Sequence, residues 1–374
     1  MKIQNVKGGY DFLPKEQKIR NYINEVLKET FMEYGYGSIE TPILCYLDML
    51  VDKYDENNDL LKEIYKLSDQ GGRELGLRYD LTVPFAKFIA LNKNNISMPF
   101  KRYEIAKVFR DGPVKVGRDR EFTQCDADVV GIEGQFIEAE LRTYLIEIAI
   151  ENEQIDKLLM LFKMDVDKIK DMLKDSTNEE LTLGIKEIDT LKGYLEKLGY
   201  GEICKVDLTL ARGQDYYTGN VFEVYDKSGY LTSSIGGGGR YDKMVTEYIN
   251  DGEVYPAVGI SFGLTSIYEI LKTRDDFKNT SDIKFYIIPM GVDMEALSLA
   301  DTLRSYGYNV DVEMKGRKLK KSLDFANREN IPYVIIVGED EVKSGKVTVK
   351  DMINQNNFEI DLKKPEKVKE IVKL

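Results

Sequence analysis

The stretch VFRDGPVKVGRDREFTQCD, Val108 to Asp126, gathers Arg110, Lys115, Arg118 and Arg120 in a chain whose formal net charge is −12. It joins two runs that read as strands, KRYEIAKVFR and EFTQCDADVVG, with Gly112, Pro113 and Gly117 breaking the text between them. A guanidinium is always charged and presents a planar fork to phosphate oxygens. Arginines beside a glycine that admits close backbone approach therefore suit a polyphosphate or an acyl-phosphate. The competing reading is a solvated hairpin loop in which Asp111, Asp119 and Glu121 balance the cations.

The rest of the chain narrows the chemistry. With 374 residues, 43% hydrophobic and 32% charged, it is long enough for two cored domains. The N-terminus MKIQNVKGGYDFLPKEQ has no apolar signal segment, and no run approaches the roughly 18 apolar residues of a membrane helix, so a cytoplasmic protein is expected. Cys45, Cys125 and Cys204 are isolated, which favours neither a disulfide framework nor a thiolate metal site. The count of histidines is 0, removing imidazole bases, Ser-His-Asp triads and histidine metal sites. A pI near 4.9 argues against indiscriminate nucleic-acid binding but leaves local basic patches for phosphate.

Working outward from the opening stretch, Ile19, Tyr22, Ile23, Val26, Leu27 and Phe31 recur at helical spacing, with Gly35 placed to end the helix and a strand expected into Thr41-Pro42. Short β-like runs from Tyr65 onward, among them IYKLSD and LGLRYDL, predict an antiparallel sheet. Residues 135–203 read as small amphipathic helices, an insertion. Strand-like text returns at KVDLTLARGQDYYTGNVFEVYD, SSIGGGGRYD reads as a glycine loop, and YPAVGISFGLTSIYEILKTR as a strand entering a buried helix. After the polar linker Asp275–Asp282, the runs KFYIIPMG, NVDVEM and PYVIIVG alternate with helix-like text, predicting an α/β domain with partly parallel strands.

In chain order, KGGYDFLPKE, FMEYGYGSIETPIL, LRYDLTVPFAK, the opening stretch, ARGQDYYTG, GGGGRYD, PAVGISFGL and GRKLKKSLDFANRENIPYVIIVG resemble the histidyl-tRNA synthetase family of class II aminoacyl-tRNA synthetases. The resemblance implies an α+β fold: a class II antiparallel sheet flanked by helices over residues 1–274, with a reduced helical insertion at about 152–203, and a C-terminal α/β anticodon-binding-like domain over 282–374. It also implies a homodimeric ligase that uses ATP, with its Mg2+, to convert histidine to histidyl-adenylate and then charges tRNA(His).

Residue by residue, the resemblance gives Arg110 the α-phosphate, Arg118 the outer phosphates and Phe122 the adenine ring. Arg212 corresponds to the catalytic cation facing the charge that develops as the carboxylate attacks phosphorus, the alternative being an ion pair with Asp215 or Glu223. Asp80 and Thr82 match the positions that hold the α-ammonium, and Gln124, Asp128 and Tyr217 those around ammonium and imidazole. Tyr216 belongs to the same pocket or to a hydrogen-bonded core. An imidazole has two nitrogens that need partners, and a carboxylate with a phenol satisfies both while excluding apolar analogues. Arg317, Lys318 and Lys321, with Lys315 and Lys320, are expected to meet tRNA phosphates.

The match departs from the family's pattern in three places. Thr265 and Ser266 stand where motif 3 ends in Glu-Arg, so the arginine expected at the γ-phosphate is missing. Gly112 replaces the acidic residue usual two positions after the motif 2 arginine, and the interval from Gly131 to Arg212 is short. A non-charging paralogue that senses histidine, such as an ATP phosphoribosyltransferase regulatory subunit, is the alternative. The retained RGQDYY text, the motif 2 arginines and the C-terminal domain weigh against it.

Overall fold

The computed structural model describes residues 3–51, 60–138, 140, 179–207, 210, 216–274, 277, 281–362 and 364–372. They form two compact units, Met1–Phe12 with Ile19–Lys272, and Leu13–Lys18 with Thr273–Leu374. The helix Pro14–Glu33 buries Ile19, Ile23, Leu27 and Phe31. It ends where Gly35, at φ 78°, turns the chain so that the Tyr36 amide reaches the Phe31 carbonyl at 2.9 Å.

Among the described residues, the strands of the first unit are β1 (Gly37–Ser38), β2 (Leu44–Tyr46), β3 (Lys66–Ser68), β4 (Glu74–Leu77), β5 (Phe100–Phe109), β6 (Glu121–Val130), β7 (Val221–Val224), β8 (Gly236–Arg240) and β9 (Ala257–Gly263). Six of them form a sheet in the order β1-β5-β6-β9-β8-β7, parallel between β1 and β5 and antiparallel elsewhere. A smaller antiparallel sheet has the order β2-β4-β3.

The register decides what the large sheet presents. Arg102 pairs with Asp128, which pairs with Gly259, and Gly259 with Gly239; Glu104, Asp126, Ser261 and Gly237 form the next row. Ala106, Gln124 and Gly263 follow, then Val108 with Phe122. Because side chains alternate, these rows share one face. The other face carries Tyr103, which stacks on Phe31 of the first helix with ring centroids 5.2 Å apart. Over the first face lies the helix Thr82–Asn92, whose Phe85 ring sits 4.3 Å from the Arg102 guanidinium. Its Val83, Phe85, Ala86 and Ile89 share a core with Met244 and Val245 of the helix Asp242–Ile249.

The SSIGGGGRYD text, expected as a loop, contains the buried strand β8. A Cβ on Gly238 would stand 2.0 Å from the Gly259 carbonyl oxygen, and one on Gly239 would stand 2.8 Å from the Asn220 carbonyl oxygen. Glycine is required by close backbone approach, to β9 at Gly238 and to the residue preceding β7 at Gly239, not by turning. Of the expected insertion, Glu179–Lys197 is a helix burying Leu191 and Leu195, and 152–178 lie outside the described residues. Of the KVDLTLARGQDYYTGNVFEVYD text, Val221–Val224 is strand among the described residues.

In the second unit, β10 (Phe285–Met290), β11 (Val310–Val312), β12 (Tyr333–Gly338), β13 (Lys346–Asp351) and β14 (Asn357–Asp361) form a sheet ordered β11-β10-β12-β13-β14. β10 is parallel to β11 and β12, while β13 and β14 add an antiparallel hairpin. Phe285 and Ile287 pack with Leu299 and Leu303 of the helix Asp293–Ser305, and Tyr286 and Ile288 pack with Ala326 of the helix Leu319–Arg328. Alternation along β10 thus feeds two cores, one on each face.

Gly238→Ala should force β8 from β9 and destabilise the protein by about 1 to 3 kcal/mol or more. Gly193→Ala, on a helix where a Cβ meets nothing within 4 Å, should be neutral or stabilise by up to about 1 kcal/mol. Urea unfolding of both variants checks the contrast, and equal stability would contradict the close-approach argument.

Candidate active site

A cavity of about 390 Å³ opens over the face that carries Phe122, Gln124, Asp126 and Asp128, and all four line it. At about 3.3 Å per residue, Phe122 and Asp128 stand roughly 20 Å apart along β6. The two ends differ in charge. Asp128 and Asp126 mark a buried acidic end, while Arg110 and Arg118 line the cavity toward Phe122, with the less buried carboxylates of Glu63 and Asp119 also in its lining.

Arg102 organises the acidic end. It is fully buried, with a terminal nitrogen 2.6 Å from Asp128 Oδ2 and the same nitrogen donating to the Leu81 carbonyl at 3.2 Å. Glu104 lies 3.7 Å from its other terminal nitrogen and also accepts from Arg78 at 3.1 Å and from the Thr41 amide at 2.9 Å. The Tyr241 hydroxyl donates to Asp128 Oδ1. Gln124 donates to Ser261 Oγ at 2.9 Å, and Asp126 Oδ1 has no hydrogen-bond partner.

Burial pushes the carboxyls of both Asp126 and Asp128 upward. Arg102 opposes the shift in both, and the hydrogen bond from the Tyr241 hydroxyl opposes it further in Asp128. Asp80 is raised to about 6, first by burial, against the opposing hydrogen bond from the Val83 amide and the field of Arg110. Its Oδ1 accepts from Val83 at 3.1 Å and its Oδ2 from the Tyr216 hydroxyl at 3.5 Å. Thr82 is buried beside it at the start of its helix, and the Tyr216 and Tyr217 rings lie 4.9 Å apart; all three line the cavity.

At the other end, the β5–β6 ladder continues beyond the strands through the Arg110 amide, which donates to the Arg120 carbonyl at 2.9 Å. Arg110 Nε donates to the Tyr79 carbonyl at 2.9 Å, and its guanidinium lies 5.2 Å from the Phe122 ring centroid. Arg118 lines the cavity from a turn closed by hydrogen bonds between Lys115 and Arg118, with Gly117 at φ 75°. Arg120 instead pairs with Asp111 at 3.0 Å and donates to the Gly112 carbonyl at 3.1 Å. Of the cations in the opening stretch, Arg110 and Arg118 line the cavity and Lys115 and Arg120 do not. Ser266 is buried, with its hydroxyl donating to the Gly117 carbonyl at 3.2 Å. Arg212 lies outside the described residues.

In the second unit, Arg317 is not a free cation: it lies 2.7 Å from the buried Glu313 carboxylate and its guanidinium is 4.7 Å from the Phe325 ring centroid. Lys315, Lys318, Lys320 and Lys321 are exposed. Sequence reading missed Arg102, Asp126, Ser261, Tyr241 and Glu63, of which all but Arg102 line the cavity. For Asp126 a signal existed, since it falls between Gln124 and Asp128 in the period-two alternation of its strand. No group of three or more Cys, Asp or Glu side chains placed to hold a metal occurs among the described residues.

The histidyl-tRNA synthetase family matches residues 8–156 and 138–267, and the anticodon binding domain family matches 284–373. Histidine--tRNA ligase 1 of Bacillus cereus (strain ATCC 10987 / NRS 248) is 41% identical over 421 aligned positions, covering 97% of this chain and 96% of the relative. That span exceeds the 374 residues here, so the relative carries segments this chain lacks. Among solved structures, histidyl-tRNA synthetase from Nostoc sp. PCC 7120 superposes with a TM-score of 0.81 at 27% identity, covering 99% of this chain and 100% of the other. An ATP phosphoribosyltransferase regulatory subunit/histidyl-tRNA synthetase from Bacillus halodurans C superposes with a TM-score of 0.71 over 90% and 98% of the two chains; at 22% identity that likeness concerns the fold. The six-stranded sheet with its flanking helices is a class II synthetase fold followed by an anticodon-binding domain, and the chain belongs to the histidyl-tRNA synthetase family.

Proposed function

We propose that this protein is a histidine--tRNA ligase that forms histidyl-adenylate from histidine and ATP and transfers the histidyl group to tRNA(His). The observation that carries the reading is a single cavity with buried carboxylates toward one end and arginines toward the other. That polarity matches an aminoacyl-adenylate, which has an ammonium on one side and a phosphate on the other.

In this reading, Asp80, Thr82 and Gln124 hold the α-ammonium. Asp128, fixed by Arg102, reads the imidazole with Asp126, Tyr216 and Tyr217. The histidine carboxylate oxygen attacks the α-phosphorus of ATP, the bond to the β-phosphate oxygen breaks, and pyrophosphate leaves with its Mg2+. Arg110 neutralises the α-phosphate, Arg118 the leaving phosphates, Phe122 stacks on adenine and Arg212 faces the developing charge. A hydroxyl of the tRNA terminal ribose then attacks the acyl carbonyl and AMP departs.

We further infer a homodimer, a cytoplasmic setting, and a division of labour in which residues 1–274 catalyse and 282–374 bind RNA. In the C-terminal domain, exposed Lys318 and Lys321 meet phosphates while Arg317, held by Glu313, supports the loop that presents them. Ser266, in place of an arginine, favours the histidine-sensing alternative, which differs in one measurable respect: it supports histidine binding without pyrophosphate exchange.

Exchange that requires both histidine and ATP is therefore expected, and Arg110→Ala should lower it by about 10- to 150-fold, the equivalent of one charged hydrogen-bonded contact. Histidine binding without exchange would decide for the sensor.

Asp80 supplies a pH dependence. Its raised value means that it keeps its proton until about pH 6, so its charge for an ammonium appears as pH rises through that value. The ratio of wild-type to Asp80→Asn histidine affinity should grow about tenfold from about pH 5 to about pH 7.5, the comparison cancelling the ligand's own imidazole titration. A flat ratio in calorimetry would remove Asp80 from the ammonium site.

Reversing Lys318 and Lys321 to glutamate should weaken tRNA binding and lower the log–log salt slope by about 1 to 2 while leaving histidine affinity unchanged. Filter binding across a salt series measures this, and an unaltered slope would exclude these lysines from the interface.

A further inference from the structure

Resting on the ligase reading, we propose that Glu63 is the residue that selects adenine, its carboxylate accepting a hydrogen bond from the exocyclic 6-amino group of ATP. Glu63 lines the same cavity as Phe122 and Arg110 and is half-buried. Among the described residues no ion pair or hydrogen bond uses its carboxylate. Its position is built by a neighbouring loop. A Cβ on Gly112 would lie 2.8 Å from Glu63 Oε1 and 3.2 Å from Oε2, so the carboxylate fills the space that any side chain at position 112 would take.

Both partners are anchored. The Asp111 amide donates to the Glu63 carbonyl at 2.8 Å, Arg120 pairs with the Asp111 carboxylate at 3.0 Å, and the same arginine holds the Gly112 carbonyl at 3.1 Å. Arg120, a cation that does not line the cavity, thereby fixes the loop against Glu63. Position places the carboxylate at the base end of the cavity. Val108 pairs with Phe122, Arg110 lies two residues on with its guanidinium near the Phe122 ring, and Gly112 is two residues further along the same chain.

The chemistry follows from donors and acceptors. An ionised carboxylate only accepts hydrogen bonds, adenine offers an amino donor at position 6, and guanine offers a carbonyl acceptor there. A carboxylate beside an aromatic ring that takes the base therefore attracts adenine and repels guanine. A metal-binding role is a poorer fit, since no group of three or more possible ligands surrounds Glu63 among the described residues.

The experiment compares ATP, GTP and purine riboside 5′-triphosphate, which lacks the 6-amino group, in wild type, Glu63→Ala and Glu63→Gln of the full chain. Nucleotide KM in histidine-dependent pyrophosphate exchange and equilibrium nucleotide binding are both read. Glu63→Ala should weaken ATP by about tenfold, leave purine riboside triphosphate within about twofold, leave histidine KM unchanged and narrow the ATP-over-GTP preference. Glu63→Gln, which keeps a carbonyl acceptor, should retain part of the ATP affinity. Equal weakening of ATP and purine riboside triphosphate, as a metal or folding role would give, overturns the assignment, as does an unchanged ratio between them. A wild type that binds histidine but no nucleotide overturns the ligase reading beneath it as well.

Discussion

The guanidinium of Arg102 is the fixed point of the first unit. It has no exposed surface, its Nε and Nη1 have no hydrogen-bond partner, and its neighbours are the carboxylates of Asp128 and Glu104, the Leu81 carbonyl and the Phe85 ring. Buried ion pairs of this kind seldom add net stability, because desolvation consumes most of the Coulombic gain. Their use is positional. One side of Arg102 orients Asp128, and its bond to the carbonyl of Leu81 fixes the backbone between Asp80 and Thr82. The two groups of residues proposed to hold the ring and the ammonium are thereby set relative to each other by one side chain that lies outside the cavity.

Such an arrangement needs an uncluttered floor, and glycine supplies it. Gly259 stands beside Asp128, where a Cβ would fall 1.8 Å from Oδ1. Along β8 the backbone is close enough to β9 that side chains are excluded between them, which leaves the ladder itself as the cavity wall. The charges along the floor come from β6, whose alternation presents Phe122, Gln124, Asp126 and Asp128 in sequence from the arginines to the acids. The polarity of the cavity thus combines the acids of one strand with arginines from the loop that precedes it.

Much of this was legible before the fold was known, for reasons that differ by element. The first helix, the β5–β6 hairpin and the alternating C-terminal elements follow from hydrophobic period and breakers, which are local. Gln124 and Asp128 were placed by motif, and strict alternation would have added Asp126. Arg102 was not legible: an arginine on a strand ordinarily reads as exposed, and its burial depends on Leu81 and Phe85 from the helix Thr82–Asn92 and its cap, and on Asp128 from β6, arriving together. The glycine strand was misread because glycine carries no strand tendency of its own and the close approach that demands it is made by residues distant in sequence. Arg317 illustrates the same limit. A basic run suggests phosphate, yet a glutamate four residues earlier claims that arginine once the loop folds.

At Ser266, where the resemblance expects an arginine, the structure shows a contact to a neighbouring turn. Ser266 bonds the Gly117 carbonyl, tying the helix Leu264–Leu271 to the turn that carries Arg118. The turn that carries Arg118 is thus closed by its own Lys115–Arg118 hydrogen bonds and tied to the helix through Gly117, while the Arg110 side chain is held by the Tyr79 carbonyl. A protein that only senses histidine requires the acidic end of the cavity and nothing more. Here the opposite end keeps two arginines, an aromatic face in Phe122 and the carboxylate of Glu63, all lining the cavity that contains Asp80 and Asp128. Groups suited to phosphate and base are useful beside carboxylates suited to an ammonium when two ligands must meet, because holding a carboxylate near an α-phosphate is the main service an adenylating site performs.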